Sequence, residues 1–182
     1  MKKIILLTVL LVFLTGCGFY NLNNFVLPDD EEFLEVINSL DTPRKICEYM
    51  EDNFEFRINR RLWSPYQTWL ANTKSKAGDC NDYSTFAIFV AHLHGYEVYQ
   101  IGIWIKEDFI VKGHALGVFV EDGQYSYSNK TKYYYVQLNE FRYIVMDWYY
   151  RTRKNWISYT VYDYNMNVVE KGYNEKPKDK IK

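Results

Sequence analysis

The sequence has few cysteines and histidines, and its positive and negative charges nearly balance. Basic and acidic residues number 22 and 23, for a formal net charge of −1. Surfaces that bind nucleic acid need a cationic excess, so this balance argues against such a partner. Only three cysteines and three histidines occur in the chain. The acidic residues lack the spacing of a calcium loop, so neither a metal site nor a cofactor is predicted.

The chain also lacks an apolar run long enough to cross a membrane. Its longest run, residues 4–14, is broken only by Thr8 and is about half of the roughly 20 residues that a spanning helix needs. Lys2 and Lys3 precede it, which is the order of a secretory signal peptide. The run ends in Leu14-Thr15-Gly16-Cys17, which resembles the lipobox of bacterial lipoproteins.

The resemblance to a lipobox implies a signal peptide over residues 1–16 and lipidation of Cys17. Two acyl chains and an N-acyl group exceed the two signals that stable anchoring needs. We therefore expect a protein anchored by lipid in the cell membrane, on its extracytoplasmic face; a plain secretory signal is the alternative. Residues 17–29 indicate a tether, residues 30–170 a single domain, and the lysine-rich residues 171–182 a tail.

Caps and periodicity divide the domain into helices followed by strands. Capping residues, or a proline at the first helical position, mark the helix starts. Helices are predicted over about 31–40, 43–53, 65–73 and 80–93. Strands are predicted over 98–105, 114–120 and 124–129, with further β-rich segments at 132–137, 143–150 and 156–170. Helices first and strands later, without alternation, predict an α+β domain with an antiparallel sheet.

Cys80 stands at the predicted start of a helix, directly after Gly78 and Asp79. Asp79 is the expected N-cap. The first residue of a helix faces unpaired backbone N–H groups and the positive end of the helix dipole. Both favour a thiolate, and the backbone N–H of Cys80 can help to hold an oxyanion. Cys80 is therefore the candidate nucleophile, and an inert cysteine at a helix start is the alternative.

Only one of the three histidines can serve as the base. His92 and His94 lie on the same predicted helix as Cys80, about 18 and 21 Å along its axis at 1.5 Å per residue. His114 begins a later strand, which can return to the helix. A cysteine, a histidine and then a polar residue is the chain order of a thiol nucleophile, its base and the group that orients the base. The alternative for His114 is a packing role in the core.

The orienting group is predicted from a hairpin. Asp122-Gly123 lies between two alternating runs and predicts a two-residue turn. The resulting register pairs Leu116 with Asn129, so Asn129 lies diagonal to His114 on the same face, within reach of its side chain. An amide oxygen at this point would fix the tautomer of the imidazole. Because the shared face is apolar, we expect it to pack against the helix of the nucleophile, with Ser128 on the opposite face.

Three other side chains are weighed against plainer roles. Gln67 or Trp69 could supply a second donor to an oxyanion, although packing within their own helix is favoured for both. Cys47 could form a disulfide with Cys80 in an oxidising compartment. However, Cys47 lies on an apolar helical stripe, which favours a buried thiol.

These residues resemble the transglutaminase-like superfamily, relatives of the papain-like fold. The resemblance covers about residues 42–135 and rests on Asp79-Cys80 with Asp82-Tyr83, Gly113-His114-Ala115, Asn129 and the upstream Trp69-Leu70-Ala71. It implies a cysteine-bearing helix packed on an antiparallel sheet, and a triad of Cys80, His114 and Asn129. Two positions depart from the family pattern. Leu116 replaces the usual aromatic residue, and Asn129 replaces the usual aspartate.

The sequence thus predicts a membrane-anchored cysteine enzyme that transfers acyl groups from protein or peptide amides through a thioester. Transglutaminase, deamidase and peptidase activities all stay open, because access to the site decides which acceptor reacts. The alternative is an inactive module of the same fold that binds or scaffolds in the cell envelope. Aromatic residues make up 19% of the chain, and exposed rings could provide that binding surface.

Overall fold

A computed structural model describes residues 19–58, 61–75 and 78–174. These residues form five α-helices and six strands, which confirms the predicted α+β class. The helices are α1 (Glu31–Ser39), α2 (Pro43–Asn53), α3 (Pro65–Ser75), α4 (Cys80–Leu93) and α5 (Phe141–Thr152). The strands are β1 (Val98–Glu107), β2 (Ile110–Glu121), β3 (Gln124–Asn129), β4 (Lys132–Leu138), β5 (Trp156–Asp163) and β6 (Val168–Tyr173).

The strands form one sheet in the order β4-β3-β2-β1-β5-β6. All neighbouring strands pair antiparallel. The predicted register of the β2–β3 hairpin is confirmed, with Leu116 opposite Asn129 and Glu121 opposite Gln124. The two-residue turn at Asp122-Gly123 sets this register. Both turn residues have positive φ angles, +54° and +76°, which glycine adopts freely and aspartate tolerates.

Helices cover both faces of the sheet. One apolar cluster contains buried residues of the four helices α1, α2, α3 and α4, which pack on Val98 and Phe119 of the sheet. The second cluster contains the buried residues of α5 and the strand residues on the other face of the sheet, among them Leu116, Val118 and Tyr127. Since alternate residues of a strand point to opposite faces, each central strand contributes to both clusters. The sheet is therefore the middle layer of the domain.

The expectation that α4 packs against the face of Leu116 is wrong. A Cβ atom placed on Gly117 would stand 3.3 Å from Ile88 Cγ2 and 3.5 Å from the Ser84 carbonyl oxygen. Gly117 and the buried Ser128 thus form the face on which α4 lies. The small residues on this face let the helix backbone approach the sheet closely.

Helix α5 is a second departure, because the segment 143–150 was expected among the β-rich regions. Phe141, Ile144, Val145 and Trp148 are its buried residues. Their spacing of three, four and seven is the period of a helix that packs one face against a core. The helix ends at Arg153, which takes a left-handed conformation with φ +58°. Aromatic and β-branched composition concealed this helical period.

The segment after residue 18, expected to be a tether, packs on the domain. Phe19 meets the ring of Tyr162 at 5.1 Å between centroids, and Phe25 meets Phe89 at 5.0 Å. Leu22 is 3% exposed, within a short 3₁₀ turn that Asn21 caps. The Asn21 side chain caps this turn, and the Asn23 side chain donates to the Asn165 carbonyl oxygen, so both asparagines fix the segment on the domain. The signal peptide, Cys17 and the residues after 174 lie outside the described part of the chain.

Candidate functional site

Cys80 is the first residue of α4, as predicted, and its side chain is partly exposed. The Asp79 carboxylate accepts from the backbone N–H of Asn81 at 3.0 Å. In return, the Asp82 carboxylate accepts from the backbone N–H of Asp79 at 2.9 Å. This reciprocal capping box fixes the first turn. The thiol is thereby held beside the N–H groups at the positive end of the helix.

The capping box gives a measurable contribution to stability. Replacing Asp79 by alanine removes the acceptor for the first turn, so we expect the free energy of unfolding to fall by about 1 kcal/mol. Asp79→Asn keeps a side-chain oxygen at the same place and should lose much less. Urea denaturation followed by circular dichroism compares the two variants. Equal losses for alanine and asparagine would show that the cap does not hold the helix start.

The loop before Cys80 is fixed by close packing around Gly78. A Cβ atom on Gly78 would stand only 2.5 Å from the ring of Tyr83, which is fully buried. The Gly78 carbonyl accepts from the backbone N–H of Arg57 at 2.8 Å. Asn72 Oδ1 accepts from the Tyr83 hydroxyl at 3.1 Å and from the backbone N–H of Glu55 at 3.1 Å. Buried hydrogen bonds of this kind hold a loop in a single conformation.

His114 and Asn129 are brought together by a hydrogen bond. His114 Nε2 lies 2.8 Å from Asn129 Oδ1. An amide oxygen only accepts, so this contact places the imidazole proton on Nε2. In the neutral ring, Nδ1 is then the basic nitrogen. The contact is the one that the hairpin register predicts, and its catalytic role stays a prediction.

Trp148 on α5 is a site residue that the sequence analysis missed. Its ring stacks on His114, with 5.4 Å between centroids and 26° between planes. Trp148 is 1% exposed, and its indole N–H has no hydrogen-bond partner among the described residues. The indole therefore acts as an apolar wall that limits the rotation of the imidazole. The helical spacing of the buried residues of α5 is the signal that could have indicated it.

Cys80 and the His114 ring approach the sheet from different sides. Helix α4 lies on the face of Gly117, whereas the ring of His114 lies against α5 on the other face. The Cys80 thiol and the His114 imidazole can therefore meet only around the edge of strand β2. Within the described pairing, β3 ends at Asn129 opposite Leu116, so β2 residues 110–115 have a partner strand on the β1 side alone.

One aromatic ring connects the start of α4 to this edge. Phe56 lies 6.5 Å from the ring of Tyr83, in the first turn of α4. The Lys130 ammonium lies 3.9 Å from the centre of the same Phe56 ring. Lys130 directly follows Asn129 in the turn between β3 and β4. The nucleophile candidate and the His114–Asn129 pair are thus at the same end of the sheet.

The two candidates for a second oxyanion donor make contacts with other protein groups. Gln67 Oε1 accepts from the backbone N–H of Ser64 at 3.0 Å, which caps the start of α3. Trp69 donates its indole N–H to the Tyr49 hydroxyl at 2.9 Å and is buried in the helical cluster. Packing within their own helix was the favoured role for both. Gln67 caps the start of that helix, Trp69 bonds to α2, and an oxyanion role for either stays a prediction.

Cys47 is a buried thiol in the helical cluster and is not joined to Cys80. Burial raises the pKa of the Cys47 thiol, and the carboxylates of Glu121, Glu48 and Glu51 add to this. Cys47 is therefore protonated at neutral pH and is a poor nucleophile.

The remaining histidines lie at the other end of α4. His92 stacks on Tyr164 with 3.7 Å between centroids, and His94 Nε2 lies 2.8 Å from the Ile37 carbonyl oxygen. The described residues contain no cluster of three or more histidine, cysteine or acidic side chains that could hold a metal ion. Among the described helices, none has the length and hydropathy needed to cross a membrane.

Comparison with known proteins identifies the N-terminal segment. Residues 1–17 match a family model described as a prokaryotic membrane lipoprotein lipid attachment site. The chain carries a lipoprotein lipid attachment site. The predicted signal sequence and lipid attachment are thereby supported, and the protein is anchored to a membrane by lipid. No curated protein matches the chain at a significant level.

Proposed function

We propose that this lipoprotein is a cysteine acyl-transfer enzyme of transglutaminase-like fold, acting on protein or peptide amides at the extracytoplasmic face of the membrane. The observation that carries the proposal is the 2.8 Å contact between His114 Nε2 and Asn129 Oδ1. It supports His114 as the base, because a proton on Nε2 leaves Nδ1 as the basic nitrogen. The pair lies at the end of the sheet where Cys80 begins α4. The six-stranded antiparallel sheet, with the cysteine-bearing helix packed on it, supports the family resemblance.

The first half-reaction forms a thioester. His114 Nδ1 takes the proton of the Cys80 thiol, and the thiolate sulfur attacks the carbonyl carbon of the amide. The C=O π electrons move to oxygen, and the backbone N–H of Cys80 can donate to that oxyanion. When the oxyanion collapses, the C–N bond breaks and the imidazolium proton goes to the departing nitrogen. Asn129 keeps the ring in the tautomer that this transfer needs.

The second half-reaction releases the acyl group. A water molecule or a primary amine attacks the thioester and gives its proton to His114 Nδ1. The C–S bond breaks, and the thiolate returns to the ion pair with the imidazolium. Water yields deamidation or proteolysis, whereas an amine yields a new amide bond. Access to the edge of β2 selects between these acceptors.

One observation favours a second candidate, an inactive module that binds or scaffolds in the cell envelope. The His114 ring lies on the α5 face, and α4 packs on the opposite face. If the thiol and the imidazole stay apart, His114, Asn129 and Trp148 serve as packing residues. The fold would then present its exposed aromatic rings to a partner.

The reactivity of Cys80 separates the two candidates. We expect iodoacetamide to alkylate Cys80 with an apparent pKa well below the roughly 8.5 of an ordinary thiol. His114→Ala should raise that value, since it removes the cation that stabilises the thiolate. The measurement is the alkylation rate of the full chain, in detergent, from pH 5 to pH 10, by mass spectrometry of the peptide with Cys80.

Asn129→Ala is the matched variant for this measurement. It leaves His114 in place but removes the acceptor of Nε2, so we expect a smaller rise in the apparent pKa of Cys80 than for His114→Ala. An ordinary pKa for Cys80, unchanged by either substitution, would contradict the enzyme and favour the binding module. Resistance to alkylation at every pH would also count against a reactive nucleophile.

A further inference from the structure

The turn between β1 and β2 carries an apolar tip that the domain does not cover. Phe109 is 103% exposed, Ile110 58% and Val111 43%. The turn has two central residues, Asp108 and Phe109, since Glu107 pairs with Ile110. Three consecutive apolar side chains at the end of a hairpin form an exposed patch, and such patches mark surfaces that contact a partner or a membrane.

The other hairpins of the sheet show that turn geometry does not require these side chains. Both neighbouring two-residue turns are small or polar, Asp122-Gly123 between β2 and β3 and Lys130-Thr131 between β3 and β4. In the β1–β2 turn only Asp108 has a positive φ, +54°, so the backbone at position 109 would accept a small or polar residue equally well. Neither folding of the hairpin nor packing in the core therefore accounts for Phe109.

The first described residues of the chain run toward the tip. Asn23 donates to the Asn165 carbonyl, beside the start of β1. Phe19 packs further along that strand, where its ring would meet a Cβ atom on Gly102 at 3.1 Å. From Asn23 to Phe19 the chain therefore runs along β1 toward the tip. Covalent geometry keeps Cys17, the lipid attachment site, within about 7 Å of Phe19.

The lipid on Cys17 and the Phe109 tip are close enough to reach the same membrane surface. Along an antiparallel strand, Gly102 and the turn at Phe109 are about 20 Å apart. Two residues of backbone and the glyceryl thioether of Cys17 are long enough to span part of this length. An apolar group that inserts about 5–10 Å into the headgroup region covers the rest.

The charge around the tip also suits a membrane. The exposed basic residues are Lys106, Lys112, Arg153 and Lys154. Lys112 and Lys154 both lie close to Glu107, at 2.6 and 3.2 Å. Against these four cations stand two acidic side chains, Glu107 and Asp108. Basic side chains around an apolar insertion are attracted by anionic lipid headgroups.

We infer that the Phe109 tip is a second membrane contact, which inserts into a bilayer containing anionic lipid. Together with the lipid on Cys17, it holds the domain in one orientation, with the β1–β2 hairpin toward the membrane. His114 pairs with Ile103 on the same two strands, so this orientation places the candidate site near the bilayer surface. The inference rests on the lipid attachment site and does not depend on acyl-transfer chemistry.

The depth of single labelled positions tests the orientation. The full lipidated chain carries a nitroxide at Val111→Cys or, for comparison, at Glu97→Cys, just before the other end of β1. Cys80 is replaced by serine, Cys47 is buried, and lipidation consumes the Cys17 thiol. In vesicles of phosphatidylglycerol and phosphatidylethanolamine, collision with oxygen and with a water-soluble nickel complex is measured by electron paramagnetic resonance.

We expect the label at Val111 to meet oxygen several-fold more than nickel, and the label at Glu97 to show the reverse. Phe109→Asp should abolish the difference at Val111, whereas Val169→Asp, at an exposed apolar position of β6, should leave it unchanged. Equal nickel access at both labels would overturn the inference. Protection of Val111 from oxygen and nickel alike would indicate cover by protein, which also overturns it.

Discussion

Cys80→Ala is expected to abolish acyl transfer, with a loss of about 10⁴-fold or more in turnover, because no other described thiol can replace the nucleophile. Cys47 is buried, and its raised pKa keeps it protonated. The activity is measured on membranes that contain the full chain. Three readouts run in parallel: incorporation of a labelled primary amine into a glutamine-containing protein, release of ammonia, and cleavage of peptides. They distinguish the crosslinking, deamidating and proteolytic forms of the reaction.

Cys47→Ala is the matched control for the loss of Cys80. It also removes one thiol, but from the helical core, so activity should survive apart from a small loss of stability. If Cys80→Ala and Cys47→Ala have equal activity, the reaction does not proceed through Cys80. Such a result would leave the membrane contact of the Phe109 tip unaffected, since the tip is tested by label depth.

Trp148→Ala is expected to destabilise the domain by about 3–5 kcal/mol, because it removes a large buried side chain and leaves a cavity. Trp148 lies in the cluster between α5 and the sheet, and its ring covers His114. Without the indole stacked on it, the His114 imidazole should also rotate more freely. Thermal unfolding by calorimetry measures the stability, and the pH dependence of Cys80 alkylation measures the effect on the couple between thiol and imidazole.

Phenylalanine variants separate these two effects. Trp148→Phe and Trp156→Phe remove the same atoms from one apolar cluster, but Trp156 packs on Tyr159. Both variants should lower the melting temperature by similar amounts. Trp148→Phe alone should shift the pH profile of Cys80. If both substitutions leave that profile unchanged, Trp148 has a packing role and does not position the histidine.

The parts of the site that could be predicted from the sequence depend on neighbouring residues. Asp79 before Cys80 signals a helix start through a hydrogen bond that spans two or three residues. Asp122-Gly123 sets the register that brings Asn129 to His114. Both signals act locally, and the hydrogen bond at 2.8 Å between His114 and Asn129 follows from the turn once the hairpin forms.

The parts that could not be predicted depend on contacts between distant elements. Whether α4 lies against Leu116 or against Gly117 is decided by which face lets the helix backbone approach most closely. In the sequence, a strand glycine that faces solvent cannot be distinguished from one that lies under a helix. The stack of Trp148 on His114 likewise required a helix in a segment whose composition favours strands.

By itself, the sequence determined the lipid attachment site, the first four helices and first three strands, the helix start at Cys80 and the pairing of His114 with Asn129. These depend on short sequence signals: a lipobox, helix caps and a two-residue turn that sets the register of its hairpin. Only the tertiary structure decided that both faces of the sheet are covered, that the segment from Phe19 onward packs on the domain, and that Phe109 stays uncovered. Burial is a property of the assembled layers, because a side chain loses its contact with water only when a distant element packs over it.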